Sequence, residues 1–129
     1  MSEAAVKILC IEDDEDTCEL ITYVFDQAGY KVDTCSQMEC LNRLREEKFL
    51  AIILDNYFVG LKGIDICCKL RSFDQTTPVV FLSGEARQAE IDKAFAAGAN
   101  AYLLKPNHFE KLTETVIQLI KESQSRDQT

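Results

Sequence analysis

The sequence predicts an α/β fold in which a parallel sheet is wound with helices on both faces. Three observations carry that expectation. Short apolar runs alternate with longer stretches whose apolar residues recur at helical spacing, the pattern of repeated strand–helix units. The central run, Leu50-Ala51-Ile52-Ile53-Leu54, has nothing polar until Asp55, as a strand buried on both faces requires. Polar, chemically capable residues follow the ends of these runs, at the edge where open parallel sheets place their ligands.

Taken in order, Val6-Lys7-Ile8-Leu9-Cys10-Ile11 forms the first strand and runs straight into Glu12-Asp13-Asp14-Glu15-Asp16. Cys18, Ile21, Phe25 and Ala28 then recur at helical spacing, with Asp14 or Asp16 placed to cap the helix and Gly29 placed to end it. Tyr30 to Cys35 alternates between two faces and reads as a half-exposed edge strand. Met38, Leu41, Leu44 and Lys48 mark a second helix leading to the central strand. A loop from Asn56 to Lys62 precedes a short helix over Gly63 to Leu70. Thr76-Thr77-Pro78 breaks the chain before Val79-Val80-Phe81-Leu82, which ends in Ser83-Gly84. Ile91, Phe95 and Gly98 outline a fourth helix, Ala99 to Leu104 a fifth strand ending in Lys105-Pro106, and Leu112, Val116, Leu119 and Ile120 the last helix. Five strands and five helices with the second strand peripheral fit the flavodoxin-like order 2-1-3-4-5. One domain over residues 1–121 is expected, with 122–129 a frayed polar tail.

Composition excludes several function classes. The 129 residues carry 22 acidic and 14 basic side chains, a net charge of −8 and a pI near 4.6, so the overall field opposes nucleic acid and anionic membranes. No apolar run approaches the roughly 18 residues of a membrane span, and the N-terminus lacks signal-peptide character, so a cytoplasmic protein is expected. Cys10, Cys18, Cys35, Cys40, Cys67 and Cys68 sit mostly among apolar residues and form no Cys-x-x-Cys pair, which fits reduced, buried thiols better than disulfides or zinc. His108, the only histidine, has no second imidazole or thiol nearby in sequence to form a zinc site and is read as a cap or surface residue of the last helix. EF-hand, dinucleotide and Walker patterns are absent, and Gly60-Leu61-Lys62-Gly63 is a weak match to an RNA-binding clamp.

In this fold Glu12-Asp13, Asp55, Ser83 and Lys105 meet along one sheet edge. Crowded carboxylates repel one another unless a cation holds them ionised, and a hard divalent ion such as Mg²⁺ accepts their oxygens. Such an ion also neutralises an incoming phosphoryl group. Lys105 supplies a compact charge for Asp55 or the phosphoryl group, Ser83 a hydroxyl donor, and Asp55 a nucleophile able to form an acyl phosphate. Each motif has an ordinary reading when taken alone: a solvated helix start at 12–16, a capped turn at Asp55, a turn at Ser83-Gly84, packing at Tyr102, a surface charge at Lys105. Their order at successive strand ends favours a site.

Glu12-Asp13, Asp55, Gly63 eight positions beyond it, Ser83-Gly84 and Lys105-Pro106 together resemble the response-regulator receiver domain of two-component systems, in its stand-alone form, across Val6 to about Lys121. The resemblance implies that a sensor histidine kinase or histidine phosphotransfer protein phosphorylates Asp55. It implies Mg²⁺, or another divalent cation such as Mn²⁺, held directly by Asp13, Asp55 and the backbone carbonyl of Tyr57, with Glu12 acting mainly through water and Asp14 and Glu85 in an outer ring. It further implies that Ser83 and Gly84 bind the phosphoryl group with Lys105, that Tyr102 turns inward as a switch, and that the altered surface binds an unidentified downstream protein. A cis Lys105–Pro106 peptide is suggested as well. The sequence departs from the family pattern at Glu12, Tyr57, Val59 and Asn107, and none of these departures removes a group the site needs. Tyr57 and Glu85, at the pocket mouth, are expected to govern how readily water reaches the acyl phosphate. Two competing functions are a constitutive interaction module and, less favoured, an aspartyl-phosphate phosphatase. Asn56 and Tyr57 oppose the phosphatase, because that chemistry wants a second Asp two residues after the nucleophile.

Overall fold

The strands of the sheet are parallel because each is followed by a helix that returns the chain to the same starting edge. A computed structural model describes residues 5–56, 62–106 and 108–127. Within them the chain runs β1 (Lys7–Ile11), α1 (Glu15–Gln27), β2 (Lys31–Cys35), α2 (Gln37–Glu46), β3 (Ala51–Leu54), α3 (Gly63–Arg71), β4 (Val79–Ser83), α4 (Gln88–Ala96), β5 (Ala101–Leu104), a 3-10 turn (Phe109–Lys111) and α5 (Leu112–Asp127). The sheet order is β2-β1-β3-β4-β5, with every pair parallel, as the apolarity of the runs and the family resemblance together imply.

Alternation along the strands builds two cores. Leu9, Ile11, Ile52, Leu54, Val79 and Phe81 face α2, α3 and α4 through Cys40, Leu44, Ile66, Leu70 and Ala94. Ile8, Cys10, Ile53, Val80 and Leu82 face α1 and α5 through Ile21, Phe25, Leu112, Val116 and Ile120. Each large side chain fully buried in this way stabilises the fold by about 1.5–3 kcal/mol. At the β2 edge, Asp33 receives Lys7 at 2.9 Å and Arg43 at 2.8 Å, so this peripheral strand is held by charge as well as by its β1 ladder.

Helix ends follow the residues available. The Asp14 carboxylate accepts the Thr17 backbone N–H at 2.9 Å, Glu15 and Asp16 suit the positive end of α1, and Gly29 at φ +88° takes the left-handed turn that ends it. Three local expectations change. In α2 the buried stripe is Cys40 and Leu44, while Met38 is 88% exposed at the first turn. In α4 the inward residues are Glu90 and Ala94, and Phe95 faces outward. The expected frayed tail is helical through Asp127, because polar residues propagate a helix that is already nucleated, aided by pairs such as Gln118 to Glu122 at 3.1 Å. Cys10, Cys35, Cys40 and Cys67 are buried. Among the described residues no helix is long and apolar enough to cross a membrane.

Candidate phosphoacceptor site

Strand register brings the candidate residues together. Ile11 pairs with Leu54 across β1 and β3, and the Asp55 N–H donates to the Ile11 carbonyl at 3.3 Å, so Glu12 and Asp55 leave the sheet side by side. Ser83 pairs with Leu104 across β4 and β5, and the Lys105 N–H donates to the Ser83 carbonyl at 2.9 Å. From there Lys105 reaches back across the edge. Its Nζ lies 3.0 Å from Glu12 Oε1 and 3.3 Å from Asp55 Oδ2.

These side chains are poorly solvated, Glu12 retaining 6% exposure, Asp55 12% and Lys105 25%. Burial, reinforced by the Asp55 charge, pushes the Glu12 carboxyl up to about 7 against the opposing pull of Lys105. Burial alone works to lower the Lys105 ammonium, but its hydrogen bond to Glu12 and the charge of Asp55 prevail and raise it. Glu12 and Asp55 therefore share the Lys105 ammonium.

Asp13 is exposed and lines, with Glu12, Glu15, Glu19 and Glu39, an open cleft of about 440 Å³ between α1 and the end of β2. Asp14 is engaged at the α1 cap by Thr17, which lowers its carboxyl, and the Lys105 charge adds a smaller pull in the same direction. Tyr57, like Val59 and Asn107, lies outside the described residues. Among the described residues no three His, Cys, Asp or Glu side chains converge as a metal-binding group, and the Lys105 amine occupies the space between Glu12 and Asp55. The donor set nonetheless fits a hard divalent cation. Its oxygens are carboxylates, and the Asp55 repulsion that adds to the effect of burial on Glu12 is what such an ion relieves.

Ser83 is fully buried at the end of β4, and its Oγ accepts the Glu85 N–H at 3.2 Å. A Cβ at Gly84 would meet nothing within 4 Å. The Tyr102 ring stacks on Phe81 with centroids 5.6 Å apart, and its hydroxyl donates to the Glu85 carbonyl at 2.8 Å. Burial raises this phenol, and hydrogen bonding with Ser83 and Asn56 partly offsets the rise. Tyr102 thus already ties β5 to the β4–α4 loop. Arg87 pairs with Glu85 at 2.7 Å and holds its carboxyl below the usual range.

Gly63 is required by close approach. A Cβ there would overlap the Asp55 carbonyl oxygen and come within 2.9 Å of Asn56 Cα. Asn56 was not singled out from the sequence as a site residue, yet it is buried and holds this contact: its Oδ1 accepts the Ile64 N–H at 3.2 Å and its carbonyl the Gly63 N–H at 3.3 Å. The sole available signal was a polar residue next to Asp55. His108 accepts the Leu104 N–H at Nδ1, 3.0 Å away, and so caps the end of β5. The Lys105–Pro106 peptide is cis. Beneath the acidic pair the half-buried Cys18 Sγ donates to the Glu12 carbonyl at 3.5 Å.

Comparison with known proteins agrees with this geometry. The family model described as the response regulator receiver domain matches residues 8–117. The phosphate regulon transcriptional regulatory protein PhoB of Rhizobium meliloti is 33% identical over 103 residues, covering 78% of this chain and 45% of that protein. The chain spans about half or less of the length of such curated relatives. The chemotaxis protein CheY4 of Vibrio cholerae superposes with a TM-score of 0.80 at 26% identity, covering 90% of this chain and 99% of that one. The receiver domain of sensor histidine kinase PA1611 from Pseudomonas aeruginosa, solved with magnesium coordinated in its active site cleft, shares the fold with a TM-score of 0.80 at 23% identity, covering 92% and 99%. On the family match and these relatives, the chain belongs to the response regulator receiver domains of two-component signal transduction.

Proposed function

We propose that this receiver domain, over residues 1–121, acts in the cytoplasm as a switch that accepts a phosphoryl group on Asp55 from a histidine kinase or histidine phosphotransfer protein. The observation that carries the reading is the convergence of Asp55, Glu12 and Lys105 at one sheet edge, with Lys105 Nζ within 3.3 Å of both carboxylates. Asp55 Oδ attacks phosphorus, the bond to the donor's imidazole nitrogen breaks, and an acyl phosphate forms. Lys105 pairs with a phosphoryl oxygen, and Ser83 turns its hydroxyl from the Glu85 N–H to a second one. Glu12, Asp13, Asp55 and the Tyr57 carbonyl would hold a divalent cation, which supplies neutralisation of the phosphoryl charge when bound. Magnesium in the cleft of the Pseudomonas receiver domain supports that assignment. Release of the Glu85 N–H by Ser83 perturbs the loop that Tyr102 grips, and through it the surface of α4, β5 and α5 offered to a downstream protein. Hydrolysis resets the switch, with Tyr57 and Glu85 governing access of water.

The test is intact mass after incubation with acetyl phosphate. A single adduct of about 80 Da that requires Mg²⁺ and vanishes in Asp55→Asn is expected. An equal adduct in Asp55→Asn, or none with Mg²⁺ bound, overturns the assignment and favours the constitutive interaction module.

A further inference from the structure

We propose that Asn56 is a positioning residue for phosphoryl transfer: its buried amide oxygen caps α3 from outside the helix and thereby fixes the direction in which Asp55 presents its carboxylate. The positioning half of this inference rests on the function proposed above, and the capping half does not.

A helix leaves the N–H groups of its first turn without partners inside the helix, so other groups must accept them. At α1 the residue just before the helix does so, through the Asp14 carboxylate. At α3 that place is taken by Lys62, whose ammonium has donors only. Asp65 turns back to accept the Lys62 N–H at 3.3 Å. The next two N–H groups are met by Asn56. Its carbonyl accepts the Gly63 N–H at 3.3 Å, and its Oδ1 the Ile64 N–H at 3.2 Å from eight positions away in the chain. Asn56 is 3% exposed, so this cap forms away from competing water.

The cap acts on Asp55 because the two residues share a peptide bond. Upstream, the Asp55 N–H donates to the Ile11 carbonyl at 3.3 Å, which anchors the residue to β1. Downstream, the Asp55 carbonyl oxygen sits where a Cβ on Gly63 would overlap it, and the following residue is held by the first turn of α3. Asp55 is thus gripped on both sides of its Cα. Its carboxylate projects between them toward Lys105, with 3.3 Å from Oδ2 to Nζ.

Phosphoryl transfer rewards that grip. The attacking Oδ must lie in line with the bond that breaks at phosphorus, and a displacement of about 1 Å can cost roughly a hundredfold in rate. Asn56→Ala removes the side-chain tie and leaves the first turn of α3 freer to draw away from the Asp55 carbonyl. Asn56→Asp keeps an oxygen of the same reach, and its added charge faces the positive end of α3, which favours it. Asn56 contacts neither phosphorus nor the donor in this reading. It therefore governs how fast a bound donor reacts and not how tightly the donor binds.

The experiment uses the full chain with saturating Mg²⁺, at a temperature where circular dichroism shows every variant folded. Uptake from acetyl phosphate, in which the Asp55 oxygen displaces acetate at phosphorus, is followed by intact mass as the donor concentration is varied. Amide hydrogen exchange is read at Gly63 and Ile64 in parallel. For Asn56→Ala the maximal rate should fall about tenfold at an unchanged half-saturating donor concentration, and exchange at Ile64 should quicken about tenfold. Asn56→Asp should bring both back to within about threefold of the wild type. A wild-type maximal rate in Asn56→Ala, a change in the half-saturating concentration alone, or equal slowing in Asn56→Ala and Asn56→Asp overturns the positioning role. Unaltered exchange at Ile64 in Asn56→Ala overturns the cap. Absence of uptake by the wild-type chain removes the phosphoacceptor reading and the positioning role with it, while the exchange data still decide the cap.

Discussion

Glu12 holds its proton more tightly in the folded chain than in the unfolded one, its carboxyl rising from an ordinary value near 4.5 to about 7. Folded protein therefore binds the extra proton between those limits, and stability falls as pH rises through that window. The penalty is complete above pH 7 and on the order of 3 kcal/mol. Glu12→Gln keeps an acceptor for Lys105 without the charge. In urea unfolding it should match the wild type below about pH 4.5 and gain about 1–3 kcal/mol over it at pH 8; a gain that is independent of pH would contradict the account. Tyr102 offers a second test at this scale. Tyr102→Phe keeps the stack on Phe81 and loses the hydrogen bond to the Glu85 carbonyl, so it should cost about 0.5–1.5 kcal/mol in the same measurement. Glu12, Asp55 and Lys105 were legible in the sequence because each directly follows an apolar run. The hydrogen bonds of Asn56 were not, because they depend on how α3 settles against the end of β3.

At the scale of elements, α3 determines how Asp55 is presented. The helix begins at Gly63 against the backbone of Asp55 and Asn56, where no side chain fits. Backbone atoms cannot yield as a flexible side chain can, so Gly63→Ala should destabilise the fold by about 1–3 kcal/mol. It should also slow phosphoryl uptake, whereas an alanine placed at exposed Lys69 should do neither; equal stability and uptake for the Gly63 and Lys69 variants would show that the contact is not needed. The glycine was evident in the sequence from its spacing to Asp55, but its contact partner was not. Helix stripes were legible in part. α1 and α5 bury Ile21, Phe25, Leu112, Val116 and Ile120 as their periodicity predicts, because each packs one broad face on the sheet. Met38 and Phe95 are apolar yet exposed, since the small residues Cys40 and Ala94 fill the closest approaches of α2 and α4.

For the molecule as a whole, a sheet with two cores holds Asp55, the proposed phosphoacceptor, at the end of β3. The order β2-β1-β3-β4-β5 places β1 and β3 side by side at the site and β5 at the border. That architecture was legible because four strands are largely apolar and the second alternates, and the resemblance supplied the position of the last. Pairing of Asp33 with Lys7 and Arg43 at the other border was invisible, since it joins residues from three elements. The central claim is that occupation of Asp55 changes a distant surface, and the most direct measurement is a map of backbone amide NMR shifts with Mg²⁺, before and after addition of acetyl phosphate. The account predicts shifts at residues 83–87, at Tyr102 and along α4, all abolished in Asp55→Asn. Shifts confined to the immediate neighbours of Asp55, or unchanged in the variant, would contradict it.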